Sequence, residues 1–330
     1  MTDLVAHARS LFAPGKGILA ADESVRTATK RLASYGIATG PEMRRQYRDL
    51  FFGAESIEKH LSGIILFPET LLEKGNDGQL FTASLAARGI APGVKVDGGT
   101  EPFPESPDEL ITQGLLDLHD RLVEYKKQGA LFTKWRAVIR IDGDTLPSSM
   151  AIHENAKRLA SYAKEVQSVG LVPILEPEVL LEGKHSRARA RTVIEETLNA
   201  LFSVLAEHAV DRASVVLKTA MALSGSESGR VDTPEEVAED TLAALMAAVP
   251  SQIAGIVFLS GGQTPDQATA NLAAITKHAR SVGAPWPLTF SYARALQEES
   301  LAVWKGKEEQ VPAAREAFLA RLAKVSAALT

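Results

Sequence analysis

Lys218 ends a short apolar run, SVVLKTAM, from Ser214 to Met221. Val215, Val216 and Leu217 in succession predict a strand buried on both faces, so the lysine that follows needs a reason to be there. A buried ammonium is strongly disfavoured unless it is paired or neutral. One reading is an amine that snorkels into water from the strand end. The other is an amine held neutral to attack a carbonyl and form a Schiff base. The rest of the chain decides between them.

Charged or anion-competent residues close most of the other apolar segments. Asp22 ends the first and Glu69 the second, and Lys95 and Asp97 end the third. Glu176 and Glu178 end the fifth, Ser260-Gly261-Gly262 the seventh, and Arg294 follows the eighth. Residues two apart share a strand face, so Lys95 and Asp97 lie on one face, as do Glu176 and Glu178. Lys134 and Arg136 also share a face, but they open their segment, and periodicity alone makes them a structural ion-pair site. Two glycines before the helix start TPDQ (Thr264 to Gln267) suit an anion, because bare backbone N–H groups and a helix N-terminus both attract negative charge. Arg294 is placed to pair with that anion. The seven histidines are scattered without metal-ligand spacing, so no metal site is expected.

The elements that must carry these residues are legible as eight apolar segments. They are 17–22, 63–69, 91–97, 134–142, 171–178, 214–221, 255–262 and 287–293. Helix-like periodicity fills the gaps, as in 108–127, 188–209 and 235–248. SPDE (Ser106 to Glu109), TPEE (Thr233 to Glu236) and TPDQ each place a hydroxyl, then proline, then an acid or amide, which predicts three helix starts. Alternation of strand and helix with no Gly-rich turn after the first strand favours a closed (β/α)8 TIM barrel over an open sheet. The length beyond a ~250-residue barrel is assigned to additional N- and C-terminal helices at 4–12, 42–52 and 311–329. With no linker or internal repeat, 1–330 is expected to be a single domain.

Composition narrows the partners. A net charge of −5 argues against nucleic acid, and the one basic cluster, Arg187, Arg189 and Arg191, reads as a solvated helix face. No run approaches ~20 apolar residues, so no membrane span is expected. The absence of cysteine excludes disulfides and fits a cytoplasmic setting.

Taken together, GILAADES, GVKVD, KWR, PILEPE, VFLSGGQ and TFSYARALQE, in this order between about Gly15 and Trp304, closely resemble the class I fructose-bisphosphate aldolases. The resemblance implies a metal-independent (β/α)8 enzyme with no cofactor, a phosphorylated sugar substrate and a homo-oligomeric state, tetramer or dimer. It implies reversible cleavage of fructose 1,6-bisphosphate to dihydroxyacetone phosphate and glyceraldehyde 3-phosphate, as in glycolysis and gluconeogenesis. By resemblance Lys218 is the Schiff-base lysine, Glu176 a general acid/base, Asp22 the carboxylate near the C3–C4 bond and Lys134 the cation beside Lys218. That places Lys134 in the site, against the parity reading. Ser260, Gly261, Gly262, Ser291 and Arg294 match the C1-phosphate site. Lys95, Arg136, Ser24, Thr27, Lys30 and Arg31 match residues around the other phosphate and the sugar hydroxyls.

The sequence departs from the family pattern at four places. Thr219-Ala220 stand where Pro-Asn is common, Gly98 where a lysine is usual, and Ala293 where a phosphate-binding glycine is usual. Animal members end in a tail bearing a tyrosine, whereas the last tyrosine here is Tyr292. The expectation that follows is slow protonation of the enamine, or an internal acid in place of the tail.

Overall fold

The computed structural model describes residues 2–330. Eight parallel strands close into a barrel: β1 (Gly17–Ala21), β2 (Leu61–Leu66), β3 (Ala91–Lys95), β6 (Phe132–Ile139), β7 (Val172–Val179), β8 (Val216–Thr219), β9 (Gly255–Phe258) and β10 (Leu288–Tyr292). Neighbours follow chain order, and β10 pairs with β1 to close the ring. A two-stranded hairpin, β4 (Thr100–Phe103) and β5 (Ser106–Thr112), is inserted after β3.

Helices cover the outside. They are α2 (Val25–Ser34), α3 (Pro41–Phe52), α4 (Phe81–Ala87), α5 (Leu118–Lys127), α6 (Ser149–Val169), α7 (Arg187–Glu207), α8 (Pro234–Ala248), α9 (Pro265–Val282), α10 (Arg294–Trp304) and α11 (Val311–Ala327). A short α1 (Thr2–Ser10) precedes β1. The additional helices expected at 4–12, 42–52 and 311–329 are therefore present, with slightly shifted ends.

Period-two alternation sorts each strand into two cores. One face packs outward against the helices in a large apolar layer that includes Leu19, Trp135, Leu175, Leu217 and Phe258. The other face fills the barrel with Ile18, Ala20, Ile65, Phe132, Val172, Ile174, Val216 and Val257, and Ala8 and Leu11 close the bottom. Phe132 takes its space from Gly93, where an added Cβ would lie 2.1 Å from its ring. Any larger residue at that position overpacks the interior.

The same parity explains the top of the barrel. Continuing inward from Ile18 and Ala20 comes Asp22; from Phe132, Lys134 and Arg136; from Val172 and Ile174, Glu176 and Glu178; from Val216, Lys218. Apolar residues occupy the inward positions at the N-terminal ends and charged ones at the C-terminal ends. β6 begins at Phe132, so Lys134 is its third residue and does not open the strand. That corrects the parity reading of Lys134 and Arg136 as a structural pair at the wrong end.

The SPDE helix start is also overturned. Residues 106–112 form β5, and the helix expected from Asp108 begins at Leu118. Glu109, which would have been the third helical residue, instead accepts hydrogen bonds from the backbone N–H (2.8 Å) and hydroxyl of Ser148. Ser148 caps α6, and Asn155 of α6 donates to Leu110 O at 2.9 Å. The pull of α6 outweighs a local capping signal worth about 1 kcal/mol. The other two signals hold: Thr233 and Glu236 form a full capping box on α8, and Thr264 caps α9.

Candidate active site

The C-terminal ends of the strands open into a cleft of about 460 Å³. Its wall includes Asp22, Ser24, Thr27, Arg31, Lys95, Lys134, Arg136, Glu176, Lys218, Ser260, Gly261, Ser291 and Arg294. The fold thus brings together most of the residues singled out in the sequence. Lys30 does not line this cleft; it lines a neighbouring one, between α2 and α10, that shares Thr27, Arg31 and Arg294. Glu69 lies past the end of β2 and is held by two hydrogen bonds from Arg44, at 2.9 and 3.0 Å, outside the cleft.

At the floor, two buried lysines and two carboxylates alternate. Lys218 Nζ lies 3.0 Å from Glu176 Oε1, and Lys134 Nζ lies 3.0 Å from Glu176 Oε2 and 2.7 Å from Asp22 Oδ2. Glu176 Oε2 accepts no well-aligned hydrogen bond, so its contact with Lys134 is ionic. Register explains the proximity: Ile174 is level with Val216, so Glu176 stands beside Lys218 two residues further on. Lys134 is level with Lys95 on one side and Ile174 on the other.

The two lysines are not equivalent. Lys134 touches both carboxylates, Lys218 only one. Burial alone would favour a neutral Lys134 amine, but Asp22 and Glu176 outweigh it and raise the Lys134 pKa well above the ordinary lysine value. Lys134 is thereby fixed as a cation, whereas Lys218 has a single carboxylate contact. Burial would likewise push Asp22 up, but the Lys134 ammonium above all, with Lys218 and Lys95 adding to it, holds it far below the usual carboxylate range. Glu176 is lowered for the same reason, with Arg136 contributing.

Around the mouth, three cations are matched by carboxylates. Lys95 donates to Asp97, Arg136 to Glu178, and Arg31 to Glu23. Arg294, at the first position of α10, has no acidic partner among the described residues. It faces the Ser260-Gly261-Gly262 turn, where a Cβ on Gly262 would stand 3.7 Å from Arg294 Nη2. Both glycines have positive φ, +42° and +86°, a backbone that side chains resist and that turns N–H groups toward an anion. The Ser291 hydroxyl is buried without a protein partner in the same wall. Ala293 has φ −104° and ψ −91°, so it does not adopt the left-handed backbone that would call for the glycine of the family pattern.

Three acids of the cleft wall, Glu23, Asp97 and Glu178, were not among the expected site residues. Asp97 and Glu178 carry the signal of strand-end acids that share a face with Lys95 and Glu176, and they hold Lys95 and Arg136. Glu23 follows Asp22 on the opposite face and carries no sequence signal of its own. It is buried and accepts from Arg31, from Arg48 and, at 3.0 Å, from the Tyr47 hydroxyl. The Arg187 cluster is also corrected: Arg187 is no solvated face but contacts Asp232, Glu236 and Asp240, joining α7 to α8 and to the loop that precedes it.

Burial pushes the Glu23 carboxyl up, but Arg48 and Arg31 outweigh it and lower its pKa. A depressed folded pKa adds stability that is complete above the unfolded value near 4.5 and is lost as pH falls through the folded value. Glu23→Gln should therefore cost about 3–5 kcal/mol at pH 7, the range for breaking a buried pair. The difference in denaturant midpoint from the parent protein should shrink at pH 3. A gap that stays constant with pH would show that Glu23 stabilises by packing alone.

Among the described residues no group of three or more His, Asp or Glu side chains is arranged to hold a metal ion, and no helix is long and apolar enough to cross a membrane. Residues 3–330 match the family model for fructose-bisphosphate aldolase class-I. The chain is 47% identical over 97% of its length to fructose-bisphosphate aldolase 6, cytosolic, of Arabidopsis thaliana, covering 88% of that protein. It is 46% identical over 99% of its length to fructose-bisphosphate aldolase of Schistosoma mansoni, covering 89% of it. A solved structure of fructose-bisphosphate aldolase from Plasmodium falciparum, in complex with TRAP and a small molecule inhibitor, superposes with a TM-score of 0.96 at 42% identity. That superposition covers 99% of this chain and 94% of the other. The buried lysine pair on a closed barrel and these full-length matches agree: the chain belongs to the class-I fructose-bisphosphate aldolase family.

Proposed function

We propose that the protein cleaves fructose 1,6-bisphosphate reversibly into dihydroxyacetone phosphate and glyceraldehyde 3-phosphate through an imine on Lys218. The observation that carries this reading is the buried Lys218 amine 3.0 Å from Glu176, on the floor of a cleft whose wall holds an unpaired arginine. Glu176, a carboxylate at rest, takes the proton released as Lys218 becomes a free amine; the amine attacks the ketose C2, and Glu176 returns that proton so that the C2 hydroxyl leaves as water. The resulting iminium draws electrons from the C3–C4 bond. Asp22 accepts the C4 hydroxyl proton as that bond breaks, and the aldehyde departs. The electron pair remains as an enamine on Lys218, which gains a proton at C3, and hydrolysis of the renewed iminium frees the ketone product.

The division of labour between the carboxylates rests on contact. Glu176 touches the Lys218 nitrogen, whereas Asp22 contacts Lys134. Lys134, fixed as a cation, stabilises negative charge as proton transfers proceed. The Ser260–Gly262 turn, Ser291 and Arg294 take the C1 phosphate, and Lys95, Arg136, Arg31, Ser24 and Thr27 surround the other end of the sugar.

The test is cleavage of fructose 1,6-bisphosphate by the purified protein in EDTA. Full activity is expected, because an iminium is the electron sink; loss in EDTA restored by Zn²⁺ would overturn the reading. Arg294→Ala should raise KM for the bisphosphate by about tenfold or more with a smaller change in kcat, since a charge-assisted phosphate contact is lost. An unchanged KM would put the phosphate elsewhere. The reading extends to one catalytic unit over 1–330 and to a cytoplasmic setting, supported by the cytosolic names of plant relatives. It extends also to a homo-oligomer, dimer or tetramer, which sedimentation would measure.

A further inference from the structure

The Ser260-Gly261-Gly262 turn contains nothing that can lock its own shape. Two consecutive glycines with positive φ have no side chains to pack, and glycine loses more backbone freedom on ordering than any other residue. The turn must be held from its ends. The first side chain after it is Gln263, and that side chain points inward, only 6% exposed.

Gln263 closes the turn and ties it down on two sides. Its backbone N–H donates to Ser260 O at 2.9 Å. Its side-chain oxygen accepts from Asn271 Nδ2 of α9 at 2.7 Å, and its amide nitrogen donates to Met221 Sδ at 3.6 Å. Asn271 and Met221 are themselves buried. Met221 lies three residues after Lys218, on the segment that leaves β8. Asn271 Oδ1 has no partner, so the bond to Gln263 is the one the Asn271 side chain makes. Apolar residues could fill the same space without desolvating two amides. A hydrogen-bonded pair adds direction, which packing alone does not supply.

We propose that Gln263 is a positioning residue for phosphate recognition, holding the Ser260–Gly262 turn with its N–H groups toward the cleft. It touches neither substrate nor Lys218. It acts through the turn, and by way of Met221 it keeps that turn in fixed relation to the strand that carries the amine. The inference rests on the phosphate assignment made above, and it deepens that assignment.

The experiment compares two ketones in the full-length protein: dihydroxyacetone phosphate and dihydroxyacetone, which lacks the phosphate. Borohydride trapping of the lysine adduct is measured against concentration of each. In Gln263→Leu, which keeps the volume but loses both contacts, half-saturation for the phosphorylated ketone should rise roughly tenfold to a hundredfold. Half-saturation for dihydroxyacetone and the maximum trapped fraction should stay within about twofold of the parent protein. Asn271→Ala, which removes only the support, should show the same split with a smaller rise, and serves if Gln263→Leu does not fold. Equal weakening for both ketones, or no weakening for either, would mean that the residue is only structural and would overturn the proposal. If the parent protein traps both ketones with equal affinity, the phosphate assignment fails first, independently of either variant.

Discussion

Lys218→Ala should abolish both the borohydride-trapped adduct with dihydroxyacetone phosphate and the cleavage of fructose 1,6-bisphosphate. The loss in kcat/KM should be at least about 10⁴-fold, a large part of the ~10⁶-fold or more that separates enzymes from uncatalysed reactions. The size follows from covalency: no other amine on the cleft floor is free to replace it. Lys134 is held as a cation by two carboxylates, and Lys95 is turned onto Asp97. Peptide mapping after reduction should find the triose on Lys218 alone. A label on Lys134 or Lys95 would show that the nucleophile is another lysine.

Glu176→Gln and Asp22→Asn should each lower kcat by about 10²–10⁴-fold, the range for losing a positioned general acid or base, but they should stall at different steps. Glu176 touches the Lys218 nitrogen, so its amide variant should form the trappable iminium slowly from any ketone. Asp22 is engaged with Lys134, away from that nitrogen, so its amide variant should form the adduct with dihydroxyacetone phosphate at near the parental rate. It should then fail to break or make the C3–C4 bond. Pre-steady-state trapping separates the two. Equal adduct rates in both variants would collapse the distinction between the carboxylates. Both acids have depressed pKa values, so neither should set the acid limb of the parent pH profile near neutrality.

Much of this was legible because strand periodicity is a local property. The alternation that buries Ile18 and Ala20 also delivers Asp22, and the one that buries Val172 and Ile174 delivers Glu176 and Glu178. The sequence pattern alone therefore places the charged residues that close apolar segments at one end of a barrel. Capping signals worked where the helix had no competitor, as at Thr233 and Thr264. At Ser106 the same signal failed. Glu109 and the backbone of Leu110 find partners on α6, some forty residues away in sequence, and a strand satisfies them better than a helix turn.

The sequence by itself determined which side chains face the barrel interior, at which end the charges collect, and which backbone turn is glycine-bare. These depend on period two and on residue type, and neither needs a distant partner. Only the tertiary structure decided which charges neutralise each other. Lys134 was misplaced from periodicity because its strand starts two residues earlier than its apolar run suggested, at Phe132 against Gly93. Glu23 was invisible because its partners, Arg31 and Arg48, arrive from two different helices. Ion pairing acts over a few ångströms between long side chains, so its pattern depends on which strands and helices close around the barrel. That closure left Lys134 with two carboxylates, Lys218 with one and Arg294, among the described residues, with none.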